Sequence, residues 1–244
     1  MANKLVLPKT LKRELWEKLG SNPEWEKHIG KPMVSWSQIE VFNDKKGFNT
    51  GLLGMFEYFR KYFLGETYPD MGWGTFGTEA QEYIQERKHS NKFTPAEKEV
   101  LETIEPLDIF EQPVILDFGT FIVLGFIDGL SEDWTKMRDI KTKSESSKKD
   151  LFTGKKHQLE LYSLFVEQEK GFLPECEYVI VEREGGRACM MGGGRDVLTV
   201  GERVWYEPYK ITKARLAETK KLVKSTVKEI SNYYQVFLKL NELK

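Results

Sequence analysis

Apolar positions in the first third of the chain recur at helical spacing. Leu52, Phe56, Phe59 and Phe63 of LLGMFEYFRKYFLG fall three or four apart, which predicts one packed helix face. Shorter helices are predicted over residues 9–19, stopped by Gly20, and over SQIEVFN, where Ser35 or Ser37 offers a cap. A glycine-rich entry, GWGTFG, leads into the helix TEAQEYIQERK and lacks the Gly-Lys-Ser/Thr ending of a phosphate loop. Thr94-Pro95-Ala96-Glu97 combines a cap, a first-turn proline and a capping-box glutamate. The helix it opens should run to about Ile104, before Pro106.

From Pro113 the pattern becomes that of strands. VILDFG, TFIVLGFIDGL and WTKMRDIKTK are rich in β-branched and aromatic residues, with LSEDW as the turn between the last two. A helix from about Lys156 to Lys170 closes at Gly171, and YVIVERE is a further strand. GGRACMMGGGRD reads as a flexible hairpin tip or loop, VLTVGERVWYEPY as a last strand, and Thr212 as the cap of a long C-terminal helix. The order α-β-β-β-α-β predicts an α/β fold of the mixed α+β kind, its mixed central sheet flanked by helices, with helical additions at both ends. Neither an internal repeat nor a long linker divides the chain, so a single domain is expected.

Composition narrows the classes. The chain has 244 residues, 40% of them hydrophobic and 13% aromatic, ample for one substantial core. Its net charge of −1 means that any site for a polyanion is local. No run is long and apolar enough to span a bilayer, and the N-terminus has no signal-peptide pattern, so a cytoplasmic protein is expected (host cytoplasm if the chain is viral). Cys176 and Cys189 are two thiols, too few for a four-cysteine iron–sulfur cluster, and are expected to be free.

The candidate chemistry lies in GFIDGL and MRDIKTKS. Positions i and i+2 of a strand share a face, so Asp139 and Lys141 project together, and antiparallel pairing brings Asp128 beside them. Two carboxylates and an ammonium at the ends of apolar strands suit a hard divalent cation acting on a phosphodiester. Alone, Asp-x-Lys is more often a solvated strand face.

Residues 34–183 supply a context that resembles the PD-(D/E)XK nuclease superfamily, RecB-like exonuclease branch. SWSQIEVFNDKKGFNTGLLGMFEYFRKYFLG, WGTFGTEAQEYIQ, GFIDGL, MRDIKT and HQLELYSLF follow in that branch's order. The resemblance implies a restriction-endonuclease-like αβββαβ core over residues 71–184, with a helical extension over 1–70 and a hairpin and long helix over 185–244. It also implies a Mg²⁺-dependent DNA exonuclease, Mn²⁺ being an alternative ion, in recombination, repair or phage genome processing. Asp128, Asp139 and the carbonyl of Ile140 are the implied metal ligands, Lys141 the residue orienting water, and Gln158 and Tyr162 the pair that contacts DNA and braces the site. Relatives commonly carry Gly-x-x-x-His on the first core helix. Here Gln81 stands at the histidine position, with Glu82 as the alternative ligand.

Around this site, residues 141–156 hold six lysines against two acids, so Lys143, Lys148, Lys149, Lys155 and Lys156 are candidate phosphate contacts. Arg183, Arg187 and Arg195 are further candidates, and Ser35, Trp36 and the aromatics of residues 56–63 suit either base stacking or, preferably, the core. Glu79 reads as solvated and His157 as a surface residue. No Walker motif is present, so a single-strand annealing protein or a helicase is a natural partner beside DNA. Two other readings stay open: a catalytically weakened nuclease-fold DNA-binding or scaffold protein, and an RNA-directed nuclease.

Overall fold

A computed structural model describes residues 5–9, 26–28, 30–43, 54–66, 72–145 and 157–242. Its centre is a six-stranded mixed sheet: β1 (Met33–Ser35), β2 (Ile109–Asp117), β3 (Ile122–Leu130), β4 (Lys136–Lys143), β5 (Glu175–Glu184) and β6 (Thr199–Tyr209). β2 runs antiparallel along the whole of β3, from Ile109↔Leu130 to Asp117↔Ile122. The opposite edge of β3 is divided. β1 takes residues 122–124 in parallel, and β4 takes only Gly129 and Leu130 in antiparallel register. Among the described residues, no strand pairs with 125–128 on that edge. β3 and β4 therefore part just where Asp128 stands. β4 then pairs in parallel with β5 over its full length, and β6 closes the edge antiparallel.

Helices cover both faces. On one lies α3 (Trp73–Glu86), whose Phe76, Ala80, Tyr83 and Ile84 pack against Ile140, Val179 and Val181. α5 (Gln158–Lys170) covers the other through Leu159, Leu161, Leu164 and Phe165, against Met137, Tyr178 and Ile180. Each of the buried Leu, Ile, Val, Phe and Met side chains contributes roughly 1.5–3 kcal/mol. α3, β2, β3, β4, α5 and β5 reproduce the expected αβββαβ order. The additions are α1 (Trp36–Asn43), α2 (Gly54–Tyr58), α4 (Pro95–Glu102) and a 30-residue α6 (Lys213–Glu242).

Local signals explain several boundaries. Ser35 caps α1: its amide donates to Gln38 Oε1 at 2.9 Å, and Gln38 N donates back to Ser35 Oγ at 3.3 Å. Thr94 and Glu97 form the capping box at α4, and Arg215 N donates to Thr212 Oγ1 at the start of α6. Two expectations change. α2 passes into a π-type turn over Phe59–Phe63, and this wider turn rephases the stripe. Tyr58 is the buried ring, while Phe56 is 49% exposed; Phe59 and Phe63 are half-buried against Phe237 and Tyr234 of α6. The segment 186–197 is a series of short helical turns with Cys189 buried beneath it, rather than an open hairpin tip. Most of the helix expected over residues 9–19, along with Leu52, lies outside the described residues.

Candidate active site

Asp139 and Lys141 stand two apart on β4 and meet on one face. Lys141 Nζ lies 2.8 Å from both carboxylate oxygens of Asp139, with its hydrogen bond directed at Oδ1. Asp139 is only 2% exposed, and its Oδ2 is buried without a hydrogen bond. Burial disfavours a charged lysine, yet the carboxylates of Asp139 and Asp128 outweigh that and hold the ammonium well above its ordinary range.

Asp128 occupies the fork between β3 and β4. Its Oδ2 accepts the backbone N–H of Ile140 at 3.0 Å, the donor that a continued β3–β4 ladder would have used. Burial, reinforced by the Asp139 carboxylate, pushes the Asp128 carboxyl up to about 7 from 3.8, against the opposing pull of Lys141 and the Ile140 amide. The Ile140 side chain points into the core beneath α3, so its contribution to the fork is its backbone.

α5 supplies the wall. Gln158 and Tyr162, one turn apart, share a face, and Gln158 Nε2 donates to the Tyr162 hydroxyl at 3.4 Å. Tyr162 is 4% exposed, more buried than a surface amphipathic position would be. Its hydroxyl is pushed above its ordinary range by burial first and by the Asp128 carboxylate second.

α3 approaches from the other side with two glutamines. Gln85 Nε2 donates to the backbone carbonyl of Asp128. Gln81 Nε2 donates to Glu111 Oε1 at 2.9 Å. Glu111 is the residue that sequence reading missed. It lies on β2 opposite Asp128 in the register that runs from Phe110↔Gly129 to Gln112↔Ile127. Its φ of +51° is unusual for a side-chain-bearing residue, and its charge adds to the upward push on Asp128. Only the register of β2 on β3 reveals it. Among the described residues, no three His, Cys, Asp or Glu side chains are gathered into a ready metal cluster.

Other expected residues are placed elsewhere. Glu82 pairs with His89, at the end of α3, rather than with the aspartates. Glu79 is buried, not solvated, and ion-paired to Arg195, whose guanidinium stacks on Phe76 and Phe93 at 4.7 and 5.6 Å. Arg195 is thus a structural clasp. Arg183 lies over the Trp73 ring at 5.1 Å. His157 is half-buried, its Nδ1 2.8 Å from Thr219 Oγ1 of α6, because α6 packs on the start of α5. Ser35 and Trp36 are 2% and 5% exposed, committed to the cap and the core rather than to bases. Both cysteines are free and buried, and burial raises the Cys176 thiol to about 12. Lys143 is half-buried at the end of β4, in register with Glu182. Lys148, Lys149, Lys155 and Lys156 lie outside the described residues.

No protein-family model matches this sequence, and no curated protein matches it. Comparison of structures does find likeness. A crystal structure of a "putative exonuclease" from Eubacterium rectale superposes with a TM-score of 0.50 at 12% identity, covering 88% of this chain and 86% of that one. The two share a fold. No helix among the described residues is long and apolar enough to cross a membrane.

Proposed function

We propose that this chain is a metal-dependent DNA exonuclease of the PD-(D/E)XK, RecB-like kind. The observation that carries the reading is the buried Asp139–Lys141 pair beside Asp128, in the fork where β3 and β4 part. The nuclease-like fold shared with the Eubacterium rectale protein supports it.

The donor set fits magnesium or manganese. Mg²⁺ typically uses one or two carboxylates and keeps several waters, so a third acidic ligand is not required. Asp139 Oδ2 is buried, accepts no hydrogen bond and faces the Lys141 ammonium at 2.8 Å, an oxygen that a cation could share. Asp128 and Asp139 would hold the ion, with the Ile140 carbonyl as a further ligand by resemblance. Bound there, the metal supplies Lewis acidity toward the scissile phosphate and a more acidic water. Lys141, kept charged by its two carboxylate neighbours, orients the attacking water and offsets negative charge growing on the phosphate. Tyr162 and Gln158 line the DNA side, and Lys143 leads into the lysine-rich segment that contacts backbone phosphates. A helicase would supply unwinding, and a single-strand annealing protein is the other candidate partner.

One observation favours a second reading, a DNA-binding scaffold with weakened catalysis: the Gln81 amide is engaged by Glu111. A digestion series separates the two. Linear and circular DNA, single- and double-stranded, and matched RNA are incubated with Mg²⁺, Mn²⁺ or a chelator. An exonuclease degrades linear DNA only, requires the metal, and loses activity in Asp139→Ala and Lys141→Ala. DNA binding without degradation under any metal favours the scaffold. Equal digestion by wild type and both variants ends the assignment of this site.

A further inference from the structure

Three residues before Asp128, on the stretch of β3 that pairs with β2 alone among the described residues, stands Gly125. A Cβ built there would meet Tyr162 Cε1 and Oη at 2.7 Å each and Cζ at 3.0 Å; its three nearest neighbours are all Tyr162 atoms. Distances below 3.0 Å are not tolerated by real side chains, so the phenol ring of α5 lies directly on bare backbone. Gly125 alternates with Val123 and Ile127 along β3, and both pack with Tyr162 in one buried cluster, so the ring lies on the α5 face of the sheet, over Gly125. From there its hydroxyl feels the charges of Asp128, Asp139 and Lys141.

We propose that Gly125 is a positioning residue: its missing side chain seats the Tyr162 ring against β3 and thereby fixes where the Tyr162 hydroxyl stands relative to Asp128, Asp139 and Lys141. Any effect on catalysis rests on the nuclease reading; the seat itself does not. Glycine in a strand interior is otherwise unfavourable, because it loses more backbone freedom on folding than alanine. Its presence in the middle of β3 therefore calls for a close approach, and the Tyr162 ring is that approach. Tyr162 is 4% exposed and belongs to the packed cluster that includes Val123 and Ile127 of β3, so the ring is held against the strand.

The test is a double-mutant cycle over Gly125→Ala and Tyr162→Ala, read in both thermal midpoint and nuclease rate. In the wild-type background, Gly125→Ala overpacks the seat and should lower the midpoint by on the order of 5 °C. It should also reduce kcat at least about tenfold, with KM for DNA little changed, as expected when an interaction at the reacting centre is displaced. In the Tyr162→Ala background the same substitution meets open space. There it should leave the rate unaltered and raise the midpoint slightly, since alanine restricts the unfolded chain. That reversal of sign is what a ring seat predicts and a general need for glycine does not. An unchanged midpoint for Gly125→Ala, or an equal loss in both backgrounds, overturns the proposal. If the wild type digests no DNA, the nuclease reading fails while the midpoint cycle still decides whether Gly125 seats Tyr162.

Discussion

The backbone N–H of Ile140 donates at 3.0 Å to Oδ2 of Asp128, across the point where β3 and β4 stop pairing. A side-chain carboxylate thus takes the place of a strand carbonyl. The exchange satisfies the amide, and it also holds a carboxylate in a desolvated fork beside a second one. The acidity of Asp128 follows from that placement.

Asp128 predicts a specific pH response. Burial, with the Asp139 carboxylate beside it, pushes its folded carboxyl up to about 7, against 3.8 as a free side chain. Between those values the folded protein holds a proton that the unfolded chain has released, so this group makes metal-free stability fall as pH rises from about 4 to about 7. Below 4 it has no effect, and above 7 its penalty is complete. Thermal midpoints of metal-free wild type and Asp128→Asn should converge near pH 4 and diverge towards pH 8, with the variant the more stable. Parallel curves would contradict the placement.

Metal binding should carry the matching proton. A cation needs Asp128 ionised, so titration of Mn²⁺ in buffers of different ionisation enthalpy should release close to one proton at pH 6 and little at pH 8.5. Asp128→Asn should abolish the release.

The Asp139–Lys141 pair makes a separate prediction. Removing one partner of a buried pair leaves an uncompensated charge and costs about 3–5 kcal/mol, whereas removing both costs less. Lys141→Met should therefore lower the thermal midpoint more than the double variant Asp139→Asn/Lys141→Met. Both should lose at least about 10²-fold in nuclease rate. Activity and stability then move independently: the double variant regains the fold and not the chemistry.

The αβββαβ order was legible because its strands are apolar runs bounded by turn residues, and the added helices α4 and α6 because they carry strong caps at Thr94 and Thr212. Asp139 and Lys141 were legible for the same local reason: the two-residue period of a strand puts them on one face. Asp128 required only a hairpin. What escaped depends on register or on distant parts of the chain. β1 is three residues long and is a strand only because it lies parallel to β3. Glu111 faces Asp128 through the alignment of β2, and no local pattern states that alignment. Arg195 read as a phosphate contact because its buried partner, Glu79, is 116 residues away. Charge run by charge run, a sequence cannot tell a clasp from a binding residue.

That clasp is testable as a structural device. Glu79 and Arg195 have side chains only 10% and 15% exposed, and the guanidinium lies over the rings of Phe76 and Phe93. Arg195→Ala should cost about 3 kcal/mol or more, through the stranded Glu79 carboxylate and the lost stacking. DNA affinity, measured well below the midpoint, should change less than twofold. A large fall in affinity with an unchanged midpoint would return Arg195 to the DNA-binding surface.

Glu111 gives the sharpest separation of strain from chemistry. Its φ of +51° lies in the left-handed region, which costs a side-chain-bearing residue roughly 1–2 kcal/mol and glycine almost nothing. Glu111→Gly relieves that cost and also removes a carboxylate from beside the raised Asp128. It should raise the metal-free midpoint by about 2–4 °C, the shift that roughly 1 kcal/mol gives in a chain of this size. Glu111→Ala keeps the strained backbone and removes only the charge, so any gain must be smaller. It also loses the Gln81 hydrogen bond, as the glycine variant does, so the difference between the two isolates the backbone. Glycine and alanine giving the same midpoint would mean that position 111 relaxes freely in solution, and that the bend in β2 opposite Asp128 is not held by the sheet.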